Sequence, residues 1–236
     1  MDDTRSLVPA TELAAKSPIR FAGESAEYRA ARTALLAEEV ELRRHIERVA
    51  RRRRALPPGP AVAKDYAFTG REGPVTLAEL FGPHETLVVY KFMYGPERQQ
   101  PCPMCMAAMD AWDGIAHHVG RKASLVMVGR SPYERIAALG EARGWKHLRL
   151  YSDGSGDYTR DFVHPEDADV PGLNVFTRRD GTIRHFWGDE MGHTADPGED
   201  PRGAPDLVPL WSFLDLTPEG RDPDWYPKLS YPDDGA

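Results

Sequence analysis

The two cysteines of this 236-residue chain stand three positions apart, in Cys102–Pro103–Met104–Cys105. On the first turn of a helix that spacing brings both sulfurs to one side, close enough to bond to each other. The free N–H groups and the dipole of a helix N-terminus favour a negative neighbour. A thiolate there has a lowered pKa and is a better nucleophile at neutral pH. Cys102 is then the attacking thiol, and Cys105 resolves the mixed disulfide. Pro103 suits the first turn, where its missing N–H is not needed. Two other uses of the pair stand beside thiol redox. One is a metal site, for which histidines would have to complete the ligand set, because no second pair of cysteines exists and structural zinc takes four ligands. The other is a buried pair without chemistry.

Met93, Met104, Met106 and Met109 crowd the motif. Thioether and thiolate donors suit Cu(I). Met93, however, falls in a strand pattern, and Met106 and Met109 fall on the core face of a helix, where methionine is a gap-filler. Asp189–Glu190–Met191–Gly192–His193 combines carboxylates with a histidine and reads first as a solvated acidic loop. His117–His118 close a helix, where cations are favoured. The sequence holds no glycine-rich phosphate loop, Ser–His–Asp signature or EF-hand.

The elements that position the cysteines are legible on either side. Leu87 to Met93 is apolar nearly throughout, as a buried central strand is. A polar loop, Tyr94 to Pro101, leads to Cys102, and Cys105 to Val119 is helical. Ala123 to Val128 is a second buried strand. Ser131–Pro132–Tyr133–Glu134 then predicts a helix start with a capping box and a proline first turn, and Gly144 predicts its end. Leu148 to Tyr151 is a third strand, and Ser152 to Phe162 a turn and short helix. Leu173–Thr177 and Thr182–Trp187 are strands joined by the hairpin signal Arg178–Arg179–Asp180–Gly181. A loop over 188–206, a helix over Asp206–Leu214 with Trp211 in its core face, and an irregular tail from Thr217 complete the chain. Upstream, residues 1 to 25 read as an irregular arm. Residues 26 to 54 read as one long helix whose apolar face is Tyr28, Leu35, Leu42, Ile46 and Val49. Arg51 to Arg54 read as a solvated helix end rather than a nucleic-acid patch. Pro57–Pro58–Gly59–Pro60 is a semi-rigid linker. Asp65 to Phe68 is a short strand, followed by a turn at Gly70 to Pro74 and a short helix at Leu77 to Phe81. Strands alternating with helices and a closing hairpin predict a mixed α/β sheet covered on both faces.

The net charge of −7 argues against a general binder of nucleic acid or anionic membrane, which needs a positive field. No apolar run reaches the roughly 18 to 20 residues that span a bilayer. Met1 to Arg20 is polar and lacks the apolar stretch of a signal peptide. A cytoplasmic protein is expected, and a close cysteine pair in a reducing compartment is seldom a structural staple. The long N-terminal helix makes a homodimer plausible.

Strand, CxxC and helix, followed much later by Val170–Pro171–Gly172–Leu173 entering a strand, resemble the thioredoxin superfamily. In that family a cis-proline precedes the strand that faces the cysteines, and the backbone beside it holds the incoming thiol or peptide. Pro171, with Val170, matches that position. A closer resemblance is to the domain-of-unknown-function 899 family, from about Glu24 onward. It rests on Leu87 to Pro96, on Cys102 to Cys105, on Phe176 to Gly181, and on Phe213–Leu214–Asp215–Leu216–Thr217–Pro218–Glu219–Gly220–Arg221. The chain departs from thioredoxins proper, which have Trp before the first cysteine and Gly–Pro between the two. Here Pro101 precedes, and Pro103 and Met104 lie between. It departs from peroxiredoxins in having Gln99 where they have Thr or Ser.

The resemblance implies an N-terminal arm and helix over 1–59, a thioredoxin-like domain over 60–216 and an irregular tail over 217–236. It implies a thiol-disulfide oxidoreductase with a thiol or disulfide substrate, an external thiol reductant and no cofactor. The alternative is a copper-binding protein like the Sco chaperones, which use two cysteines and a distant histidine. His185 or His193 would fill that place with Cys102 and Cys105. A third reading is a thioredoxin-fold scaffold with inert cysteines.

Overall fold

A computed structural model describes residues 7–166, 168–190, 208–218 and 224–231, the side chain of 211 excepted. The chain divides into two compact units, residues 1–57 and 58–236.

The first unit holds α1 (Ala10–Ala15) and α2 (Ala26–Arg54). Ser25 caps α2 by accepting a hydrogen bond from the Tyr28 N–H at 3.1 Å, which satisfies one of the orphan donors of the first turn. The irregular arm expected over residues 1–25 therefore contains a helix. The expected apolar face is also corrected. Tyr28, Leu35, Leu42, Ile46 and Val49 are exposed, while Ala37 and Val40 are buried with Ala10 and Ala14. The reason is geometric: a helix of six residues presenting alanines closes only a small-residue patch, and the larger side chains lie on another face.

The second unit is built on one sheet. Its strands are β1 (Ala67–Gly70), β2 (Gly73–Thr76), β3 (Thr86–Lys91), β4 (Ser124–Gly129), β5 (Arg149–Ser152), β6 (Gly172–Arg179) and β7 (Thr182–Gly188), in the order β2-β1-β5-β4-β3-β6-β7. Strand β3 is parallel to β4 and antiparallel to β6, and β4 is parallel to β5. The helices are α3 (Leu77–Leu80), α4 (Pro103–Val119), α5 (Tyr133–Arg143), α6 (Asp157–Phe162) and α7 (Pro209–Leu214). This is the thioredoxin-like mixed sheet. Strand β2 stands where only a turn was expected, pairing with β1 across Gly70 and Gly73. The β6–β7 turn has positive φ at Asp180 (49°) and Gly181 (75°), as a two-residue primed turn needs.

Side chains alternate across the sheet and build two cores. Leu87, Val89, Val126, Val128 and Phe176 pack with Leu77, Leu80 and Tyr158 on the first face. Met127, Leu125 and Tyr90 pack with Met106, Met109 and Trp112 of α4 and Ile136 of α5 on the second. Met106 and Met109 are fully buried, which is worth about 1.5–3 kcal/mol each. Their role is core, as expected. Among the described residues no helix is long and apolar enough to cross a membrane.

Candidate active site

Cys102 is the N-cap of α4, in extended backbone geometry, and Pro103 occupies the first turn. The Cys102 N–H donates to the Met93 carbonyl at 3.0 Å, which ties the pair to the chain leaving β3. Pro101 is buried, and Cys102, Pro103 and Met104 are half-buried. Cys105 is buried, and both cysteines are free.

The two thiols are electrostatically unlike. The Cys102 thiol is held below its ordinary value, at about 6. A hydrogen bond from Cys105 is the main cause; burial works against it, and the N–H groups of Cys105 and Met104 and the charge of Arg98 assist. Neither N–H closes a full capping hydrogen bond, so they act as aimed dipoles. The Cys105 thiol is pushed well up, first because it donates to Cys102, then by burial and by the Cys102 charge. The Met93 N–H, 3.5 Å from Sγ, and the Tyr90 hydroxyl pull it the other way. Tyr90 is itself packed edge-on against Trp112, with centroids 4.8 Å apart. The arrangement favours a thiolate at the accessible sulfur and a protonated thiol beneath it.

The loop before Cys102 is held from two sides. From α5, Arg135 donates to the carbonyls of Pro96 (3.3 Å), Arg98 and Gln99 (3.0 Å), and its guanidinium lies 4.4 Å from the Tyr94 ring centre. Ser131 was expected to cap α5. It does not: the N-cap is Pro132, with no side-chain cap, and the buried Ser131 hydroxyl donates to the Gly95 carbonyl at 3.1 Å. Burial turned this hydroxyl toward an acceptor in the active-site loop. From the other side, the Asp169 carboxylate accepts from Lys91 Nζ (2.6 Å), the Gly95 N–H (3.0 Å) and Arg98 Nε. Lys91 is fully buried. Tyr90, Lys91, Arg98, Arg135 and Asp169 were not singled out from sequence. Lys91 alone carried a signal, being a charge in an otherwise apolar strand whose alternate residues Leu87 and Val89 are also buried.

Pro171 stands at the same end of the sheet, since the next residue, Gly172, pairs with Lys91 at the C-terminal end of β3. The cis bond of the thioredoxin superfamily, which the sequence left open at Pro171, is not found: the described peptide bonds are all trans, Val170–Pro171 included. Trans is the lower state before proline by about 0.5–1 kcal/mol. The segment that brings Val170 and Pro171 to this end also brings Asp169.

Among the described residues, the copper ligand set that would use His185 does not form. The His185 ring packs on Phe162 and Phe176, 5.3 and 5.2 Å between centroids, and its Nε2 is 2.8 Å from Asn174 Oδ1. It belongs with the first-face aromatics, whereas Cys105 lies in the second-face core. Strand alternation fixes this, because His185 pairs with Phe176, which pairs with Leu87. His193 and the remainder of its cluster from Met191 on lie outside the described residues. Among the described residues no three His, Cys, Asp or Glu are grouped to hold a metal ion.

No curated protein matches the sequence. Solved structures similar in shape include a hypothetical protein from Sinorhizobium meliloti 1021, 18% identical over 63% of this chain and 79% of that one, with a TM-score of 0.39. Oxidized Prx3 from Vibrio vulnificus is 14% identical over 55% and 88%, at 0.35. A SCO1/SenC family lipoprotein from Bacillus anthracis str. Ames is 16% identical over 54% and 85%, at 0.37. Likeness at this level does not speak to chemistry. The sequence match is of another order. The model of the family described as Bacterial protein of unknown function (DUF899) matches residues 19–232, which takes in the sheet, the cysteine turn and both segments that hold it, and the chain belongs to that family.

Proposed function

We propose that this protein is a thiol-disulfide oxidoreductase working through Cys102 and Cys105. What carries the reading is the asymmetry of the pair: a half-exposed Cys102 held below its ordinary pKa, over a buried Cys105 held above it. The Cys102 thiolate attacks a substrate disulfide, forming a mixed disulfide and releasing one substrate thiolate. Cys105 then loses its proton and attacks the Cys102 sulfur. The second substrate thiol leaves, and a Cys102–Cys105 disulfide remains. The substrate has gained two electrons and the protein has lost them. An external thiol reductant returns the pair to the dithiol, and with a more oxidising partner the same steps run in reverse. On this reading Val170 and Pro171, which lead into β6 beside the end of β3, position the incoming substrate. The reading places the protein in the cytoplasm, where thiol pairs are kept reduced.

The test is a thiol titration of the purified protein before and after mild oxidation, with turnover of a model disulfide. Two thiols that vanish together, return with a dithiol, and lose turnover in Cys102→Ser are the expected result. Full dithiol-dependent turnover by Cys102→Ser would refute the assignment.

A further inference from the structure

Lys91 is the one fully buried ammonium among the described residues, and its partner is a carboxylate on a distant segment. The Asp169 side chain is 22% exposed, and it faces three donors rather than one. Oδ1 takes Lys91, while Oδ2 takes the Gly95 N–H and Arg98 Nε. Burial pushes the Asp169 carboxyl up, but Lys91, Gly95 and Arg98 together outweigh it and hold the carboxyl below its usual range. The fit is close. A Cβ added at Gly95 would lie 3.1 Å from Asp169 Cγ. Three pieces of chain are therefore clamped: the end of β3, the loop leading to Cys102, and the segment entering β6. Within the loop, Arg98 is the residue whose charge favours the Cys102 thiolate.

We propose that Asp169 is a positioning residue for Cys102: by bridging Lys91, Gly95 and Arg98, it fixes the loop that leads to Cys102 and, with it, the place of the Arg98 guanidinium in that loop. This rests on the reading of Cys102 as the nucleophile. It also has a distinguishing sign. A carboxylate acting only through space disfavours a nearby thiolate, so its removal would speed Cys102. A carboxylate that acts by placing Arg98 slows Cys102 when it is lost.

The experiment is alkylation of Cys102 in the reduced full-length protein by iodoacetamide across pH, with the modified peptide identified by mass spectrometry. The variants are Asp169→Asn, Arg98→Gln, their double, and Gly95→Ala, whose added Cβ presses on the carboxylate without changing any charge. Asp169→Asn is expected to slow alkylation at pH 6 by about twofold, a shift of roughly half a pH unit, and Gly95→Ala to slow it in the same direction by less. The double variant is expected to be no slower than Arg98→Gln. Rates unchanged or faster in both Asp169→Asn and Gly95→Ala would overturn the inference, as would additivity of Asp169→Asn with Arg98→Gln. Should Asp169→Asn not fold, Gly95→Ala decides alone. A purely structural clamp lowers the urea midpoint and leaves the alkylation profile in place, which also overturns it. If wild-type Cys102 titrates like an ordinary thiol, at about 8.5, the nucleophile reading fails and this inference with it. A low wild-type midpoint that the variants do not move removes this inference alone.

Discussion

The cysteine turn and the Asp169 clamp bear on one sulfur in different ways. The turn is local: Cys102, Met104 and Cys105 lie within four residues, and their mutual effect follows from the first turn of a helix. The clamp is assembled from Lys91, Gly95, Arg98 and Asp169, the last 71 residues beyond Arg98 in the chain. In the proposed mechanism the turn sets which thiol is the thiolate, while the clamp sets what surrounds it. On the proposed reading, the contrast teaches that the CxxC turn sets the order of attack and resolution. The tuning of that chemistry is carried by groups that folding brings from elsewhere.

The largest expected effect separates the two thiols of the turn. Cys105→Ser should reduce multiple turnover to background while leaving the first attack intact. The protein should then accumulate as a mixed disulfide through Cys102, detectable by intact mass. Turnover near the wild-type rate would mean that the local pair is not the working unit.

Next comes the clamp. Asp169→Ala leaves the Lys91 ammonium buried without its carboxylate, and breaking a buried pair from one side costs about 3–5 kcal/mol. A large drop in the urea midpoint at unchanged slope is expected. A change below about 1 kcal/mol would mean that water reaches Lys91 and that the clamp is weaker than the turn.

The pH dependence of the turn follows from its sign. The Cys102 pKa is depressed to about 6, so reactivity is full above that value and is lost as pH falls through it. The alkylation rate should plateau at neutral pH and fall roughly tenfold per unit on the acid side. Arg98 is exposed enough to be screened, its side chain being 37% accessible, so high salt should move the midpoint upward. The hydrogen bond from Cys105 should resist salt.

The smallest effects come from single hydrogen bonds. Tyr90→Phe removes the donor to Cys105, worth about 0.5–1.5 kcal/mol, and should slow resolution severalfold without slowing the first attack. Ser131→Ala strips the Gly95 carbonyl of a buried donor and should cost about 1 kcal/mol of stability. Should Ser131→Ala slow attack as much as Gly95→Ala, the loop would be positioned from α5 as well as from Asp169.

Local rules made much of the molecule legible in the sequence. Leu87 to Met93 announced a buried strand, the cysteine turn announced a helix start, and Asp180–Gly181 announced a hairpin, because each depends on neighbours a few residues away. The long helix from 26 to 54 was legible for the same reason. Its buried face was not: Ala37 and Val40 are covered and Leu35 and Leu42 are exposed, since periodicity defines a helix but not what packs on it. Ser131 had the right spacing for a cap and instead serves Gly95, because a buried hydroxyl takes the acceptor that three dimensions supply. His185 matched a ligand by residue type, yet pairing with Phe176 turned it to the other face of the sheet. Asp169 had no local signature at all. Its role exists only because antiparallel pairing of β3 with β6 sets Lys91 opposite Gly172 and so brings a carboxylate to a buried ammonium. The sequence by itself determined the close cysteine pair and the elements that carry it. Only the tertiary structure decided which distant charges face that pair, because strand register, and not residue spacing, selects them.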